Sequence, residues 1–210
     1  MAALNGLMLT YPVHQAADIL FCRATIVPVG ADQLPHVEQT RAIARRFNRR
    51  YAPQRPVFPE PQAMLSDAPV LLGTDGRKMS KSRGNAITLA ASADETARLL
   101  RRAKTDSDPL ITYDPEHRPE VANLVLLTAL CEGLDPLELA DEVGSRGASE
   151  LKRRAAEAVN EHLRPIRSRR AELMRDRGYL RDILRHGSDR ARGIAQRTLE
   201  VVAAAMHTDY

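Results

Sequence analysis

Apolar positions recur at two different periods along this chain, and the change of period divides it. A β-branched run at 24–29 (Ala-Thr-Ile-Val-Pro-Val) predicts a short buried strand. On one side of it, residues 6–11 read as a loop or the end of an element, and Tyr11-Pro12 then opens a predicted helix over 12–22, with proline near its first turn. On the other side, Leu34, Val37, Ile43, Ala44 and Phe47 predict a helix over 34–50. Pro53 to Pro61 is too proline-dense for regular structure. Met64-Leu65 and Val70-Leu71-Leu72 read as short extended pieces. From about residue 90 the helical period takes over. Ser92 with Asp94 and Glu95 predicts a capped helix to about Ala103, and 105–109 a polar turn. Further helices are predicted at 119–131, 136–143 (ending at Gly144), 150–176 with a kink at Pro165, 179–186 and 188–206. The expected fold class is α/β up to about residue 90 and all-α after it.

Certain polar positions interrupt this pattern in a chemically suggestive way. Tyr11, Gln15 and Asp18 are spaced four and three apart, so they form one stripe on a helix. Ala16 and Ala17 beside them leave room for a ligand. A plain surface stripe on an amphipathic helix is the alternative. Gly30-Ala31-Asp32-Gln33 follows the predicted strand, where ligands bind in open α/β sheets. Asp32 can accept from ribose hydroxyls or simply cap the next helix.

The run Leu71 to Asn85 contains Lys78-Met79-Ser80-Lys81-Ser82. Only four of the 31 basic residues are lysine, and two of them lie here. A lysine ammonium is a mobile point charge, whereas arginine presents a rigid fork. With Gly73, Gly76 and Gly84 around it, the segment reads as a cationic loop that handles phosphate. A solvated Lys/Ser surface loop is the alternative.

Composition narrows the function class. Of the 210 residues, 43 % are hydrophobic, enough for a core of one large or two small domains. Aromatics are 4 % with no Trp, which argues against base stacking on an aromatic platform. The net charge of +4 and pI near 9.3 are compatible with nucleic acid, and codon bias explains the 27 arginines equally well. Cys22 and Cys131 lie in unrelated contexts, so neither a zinc site nor a disulfide framework is expected. A reducing, cytoplasmic setting without membrane span or signal peptide fits.

Three blocks now stand together. They are Tyr11-Pro12-x-x-Gln15-Ala16-Ala17-Asp18-Ile19-Leu20, then Val27-Pro28-Val29-Gly30-x-Asp32-Gln33 with His36-x-Glu38-x-Thr40-Arg41, and the lysine loop. In this order the chain resembles bacterial tryptophanyl-tRNA synthetases, of class I. The resemblance continues through Thr105-Asp106-Ser107, Tyr113-Asp114 and Leu163-Arg164-Pro165-Ile166. It implies residues 1–90 as part of a Rossmann-type catalytic domain and 91–210 as a helical anticodon-binding domain. It implies ATP-dependent activation of L-tryptophan and transfer to tRNA-Trp, in a homodimer. Asp18 would accept the indole N–H, Tyr11 and Gln33 would hold the α-amino group, and Gln15 would line the pocket. Gly30, Ala31 and Asp32 would meet ATP, with Leu71 against adenine. Met79, Ser80 and Ser82 would pack on the nucleotide. Lys78 and Lys81 would neutralise charge growing on the departing pyrophosphate, with Mg²⁺ carried by the nucleotide and no metal site on the protein.

The resemblance also implies a His-x-Gly-His signature that grips ATP jointly with the lysine loop. None of the six histidines (His14, His36, His117, His162, His186, His207) begins such a step. The expectation is therefore a C-terminal portion of the enzyme that does not activate tryptophan on its own, with an exposed sheet edge. Two readings remain beside it: a non-catalytic synthetase paralogue that binds tRNA or protein, and a tyrosine-type class I ligase.

Overall fold

The computed structural model describes residues 6–66, 68 and 70–210, leaving the side chains of Leu7, Met8, Leu9 and Lys81 outside the described set. The chain forms two compact units. One comprises residues up to Val70 together with Gly178–Tyr210, and the other comprises Leu71–Arg177.

The first unit is built on a strand–helix–strand crossover. Helix α1 (Gly6–Leu20) leads to strand β1 (Ile26–Pro28), helix α2 (Leu34–Tyr51) and strand β2 (Gln62–Met64). The strands pair in parallel, with Ile26 opposite Gln62 and Pro28 opposite Met64. Parallel strands need a crossover of this length, which α2 supplies. Three expectations change here. Residues 6–11 are helical, so Pro12 sits inside α1 and not in its first turn. Its fixed φ suits a helix, and the cost is one lost backbone bond to the preceding turn. The strand is shorter than 24–29, and it is not buried. Ile26 is 57 % exposed and Met64 51 %, because among the described residues the sheet has only these two strands. The core of this unit lies instead among Leu20, Ala44, Val57 and Phe58. Asn48 ties the proline-rich link to it. Its Nδ2 donates to the Phe58 carbonyl at 2.7 Å, and its Oδ1 accepts from Val57 and Phe58 N–H.

The second unit is helical. It contains α3 (Ala93–Arg101), α4 (Pro119–Glu132), α5 (Pro136–Val143) and α6 (Gly147–Leu173). The Ser92 cap acts as read, and two further caps appear in the structure. Ser92 accepts from Glu95 N–H at 3.1 Å, and the Asp135 side chain caps α5. Gly133 closes α4 in the left-handed conformation. Leu100, Ile111, Val125, Leu139 and Leu151 are fully buried in one core. Pro165 lies inside α6.

The last helix, α7 (Arg177–Met206), is continuous where two helices were expected. Gly187 has open space around it and costs the helix about 1 kcal/mol relative to alanine. Packing of Val202 and Ala205 on the first unit's core outweighs that cost. Thr198 Oγ1 also donates to the Phe21 carbonyl at 2.7 Å. The compact units meet along the chain at Val70/Leu71 and at Arg177/Gly178. The lysine loop groups with the helices that follow it, and α7 groups with α1 and α2.

Candidate functional site

Within the first unit, two of the expected residues meet directly. Gln15 on α1 donates from Nε2 to Gln33 Oε1 at 3.1 Å. Gln33 is the residue that starts α2, yet its side chain does not cap the helix. It is committed to Gln15, while Pro35 fills the first turn. Gln15 Oε1 is buried and has no hydrogen-bond partner. A buried acceptor left open is costly unless a donor reaches it, which makes Gln15 Oε1 a candidate contact for a ligand group. Tyr11 stands one turn before Gln15, edge-on to His36 at 5.3 Å between ring centroids. The resemblance implies an acceptor for the indole N–H, and Asp18 is exposed on α1. The reason is helical phase: α1 buries Ala16, Ile19 and Leu20, and Asp18 points away from that face. Gly30, Ala31 and Asp32 occupy the bend and short 3-10 turn after β1. Gly30 has extended φ and ψ that any residue adopts, so its backbone does not demand glycine.

Within the second unit, the lysine loop is a built structure. Leu72 pairs with Lys78 as an antiparallel bridge, and Gly73–Gly76 turns between them. Gly76 takes a φ of 76°, which favours glycine. The organising residue is Asn85, only 4 % exposed. Its Oδ1 accepts from Ser80 N–H at 2.8 Å. Its Nδ2 donates to Asp75 Oδ1 at 2.7 Å and to the Lys78 carbonyl at 3.2 Å. Its own carbonyl accepts from Thr74 N–H at 2.9 Å. A Cβ on Gly73 would lie 2.3 Å from Asn85 Nδ2, so this close approach needs glycine. The Asn85 amide, helped by Arg77 N–H, holds the Asp75 carboxyl below the usual range. Ser80 and Ser82 hydroxyls hydrogen-bond each other at 2.8 Å. The Lys81 side chain lies outside the described residues.

The loop is anchored to α4. Asn123 accepts from Leu72 N–H at 2.8 Å and donates to the Leu72 carbonyl at 3.3 Å, pairing with it as a strand would. Lys104 Nζ reaches Glu120 at 2.6 Å and keeps that carboxyl deprotonated below the usual range. Leu71 and Met79 line the same apolar cavity of about 410 Å³ beneath the loop. Asn85, Asn123, Lys104 and Glu120 were not singled out from the sequence. Asn123 was detectable in principle, as a polar residue in the middle of an apolar helix. Asn85 carried no signal beyond its place at the end of the run. Among the described residues no group of three or more His, Cys, Asp or Glu is assembled.

The chain is similar to known proteins along most of its length. Residues 3–164 match the family described as tRNA synthetases class I (W and Y). The chain is 42 % identical over 203 residues to a tryptophan–tRNA ligase of Aquifex aeolicus, covering 95 % of this chain and 50 % of that protein. Among solved structures, the tryptophanyl-tRNA synthetase of Campylobacter jejuni, complexed with ADP and tryptophan, is 31 % identical with a TM-score of 0.71. That likeness covers 98 % of this chain and 64 % of the other. A tyrosyl-tRNA synthetase from Aeropyrum pernix is 21 % identical with a TM-score of 0.56, covering 96 % of this chain and 55 % of that one, a likeness of fold alone. The chain spans about half to three-fifths of the length of the curated relatives it matches. With the family model matched over most of its length, the chain belongs to the class I tRNA synthetases of the tryptophan and tyrosine family.

Proposed function

We propose that the chain serves ATP-dependent activation of L-tryptophan and its transfer to tRNA-Trp, as the lysine-loop half of a tryptophan–tRNA ligase. The observation that carries this is the Asn85 clasp, which gives the lysine loop a defined backbone next to α4. A solvated Lys/Ser loop would not bury an asparagine to shape itself. Relatives named tryptophan–tRNA ligase at 42 % identity support tryptophan over the tyrosine-type reading, which rests on likeness of fold.

In this reading Gln15 Oε1 and Gln33 present neutral polar groups to the amino acid, with Tyr11 beside them. Asp18 meets the indole N–H from its place on α1, and the carboxylate discriminates against a ring that lacks that donor to the extent that bound amino acid shields it from water. Gly30, Ala31 and Asp32 meet the ATP ribose, and Leu71 and Met79 give the nucleotide apolar contact. The tryptophan carboxylate attacks the α-phosphorus of ATP and needs no general base, because it is already ionised. Pyrophosphate leaves with its extra charge held by Lys78 and Lys81. Mg²⁺ carried by the ATP phosphates would share that charge. A dimeric, cytoplasmic protein fits the role, and among the described residues no helix is long and apolar enough to cross a membrane.

The test is tryptophan-dependent ATP–pyrophosphate exchange. The 210 residues contain no His-x-Gly-His, so alone they are expected to give little exchange. Joined to a His-x-Gly-His segment from a relative, they are expected to exchange. Lys78→Ala should then lower the rate by about 10²–10³, the effect of removing one transition-state donor. Near-normal exchange by the Lys78→Ala protein would sink the reading.

A further inference from the structure

The cavity beneath the lysine loop is a consequence of how the loop is built. It holds about 410 Å³, roofed by the segment 71–89, walled by α4 and α6 and closed by the end of α3. The roof cannot fill it. Gly73 has no room for a Cβ beside Asn85, and Gly76 takes a φ of 76°. Ala103, only 3 % exposed, contributes a single methyl below them. Most of the wall is apolar, including Ile87, Leu124, Leu127, Val159 and Leu163. The amides and charges in the lining are engaged elsewhere. Asn85 is committed to the clasp, Asn123 to Leu72 and Lys104 to Glu120. Such a cavity gives water too few partners to hold it, and its lining atoms lack dispersion contacts on one side. A phosphate or a purine entering it would compete with bonds already made.

We propose that this cavity binds a small uncharged apolar molecule of two or three rings, and that its occupant holds the lysine loop down on α4. Size sets the class. An apolar cavity of about 150 Å³ takes one benzene, so 410 Å³ suits a larger ring system. The rim admits it, because Leu89, Leu130 and Ile166 line the cavity and are 61 %, 42 % and 43 % exposed. Coupling to the loop follows from shared residues. Leu72 belongs to the lining, to the bridge with Lys78 and to the bonds with Asn123. Opening the loop therefore unmakes the cavity, and a molecule bound there opposes opening by mass action. In the ligase reading such a molecule regulates the lysine loop, but its binding does not depend on that reading.

The two cysteines provide the test. Cys131 lines the cavity, and Cys22 is exposed in the other unit as an internal control. Burial pushes the Cys131 thiol up, so iodoacetamide labelling is run in mildly alkaline buffer and read at each cysteine by peptide mass spectrometry. The probe is N-phenyl-1-naphthylamine, which is uncharged and fluoresces in apolar surroundings. At about ten times its Kd it should slow labelling of Cys131 about tenfold and leave Cys22 unchanged. Amide exchange at Leu72 and Ser80 N–H should slow by about the same factor, since both bonds break when the loop opens. Ala103→Leu puts more side chain into the cavity and should weaken the probe about tenfold or more. Val13→Arg, in an apolar groove of the other unit, should leave the probe's affinity unchanged. Circular dichroism checks that both variants fold, and labelling and exchange in the unsubstituted protein decide the matter without them. No saturable binding, equal slowing at both cysteines, loop exchange unaffected by bound probe, or protection of Cys131 by ATP as strong as by the probe would each overturn the proposal.

Discussion

Asn85 is the residue on which the lysine loop's shape depends. It satisfies Ser80 N–H, the Lys78 carbonyl and Asp75 with one side chain, in a buried position. Asn85→Ala takes the acceptor from Ser80 N–H and one donor each from the Lys78 carbonyl and Asp75, at about 1–3 kcal/mol for a group that neither water nor another partner reaches. The expected outcome is loss of hydrogen-exchange protection at Ser80 N–H, with the α4–α6 core still protected. Gly73→Ala should do the same from the opposite side, because its new Cβ would overlap the Asn85 amide. Protection unchanged in both variants would show that the clasp does not hold the loop. At this scale the sequence was half legible. Lys78, Met79 and Gln33 stood out because their type and spacing carry chemistry. Asn85 did not, since a hydrogen-bond hub is defined by a loop closing around it. Asp18 was legible as a polar position but not in its exposure, which depends on how α1 packs.

Among the elements, the helices of the second unit were the most legible, because their apolar positions repeat at the helical period and the first of them opens on a Ser92 cap. The segment between α3 and α4 was not. Arg118 organises it, donating to Asp106 at 2.7 Å, the Leu110 carbonyl at 2.7 Å and Thr112 Oγ1 at 2.8 Å. The guanidinium holds the Asp106 carboxyl below its usual range, and its own side chain is only 14 % exposed. Arg118→Gln should therefore cost about 2 kcal/mol, allowing for the more open Asp106. Acid should have a related effect. Asp106, Asp75 and Glu120 all have depressed pKa values when folded. Their stabilisation is complete above the ordinary carboxylate range near pH 4, and is lost as pH falls through the lower folded values. Denaturant midpoints should thus drop below about pH 4, and drop less in Arg118→Gln. A variant that keeps the full acid sensitivity would contradict the assignment to this ion pair. The failed strand expectation has a different cause. A β-branched run specifies an extended segment, but whether it is buried depends on which neighbours cover it.

At the scale of the molecule, the α/β-then-helical order was readable from the change of period, while the grouping of elements was not. The loop binds α4 through Asn123, and α7 returns to α1 and α2 through Thr198 and Val202, contacts far apart in sequence. The residues proposed to hold tryptophan, Tyr11, Gln15, Asp18 and Gln33, fall in one unit and the lysine loop in the other. The ligase reading therefore makes separable demands on each, and recognition of tryptophan can be measured without the phosphate chemistry. The chain contains no Trp, so indole emission in a mixture reports the ligand alone. Equilibrium dialysis with that readout is the most direct measurement. The account predicts saturable retention of tryptophan that excess tyrosine does not displace and that Asp18→Ala abolishes. Retention unaffected by Asp18→Ala, displacement by tyrosine at equal concentration, or no retention at all would contradict it.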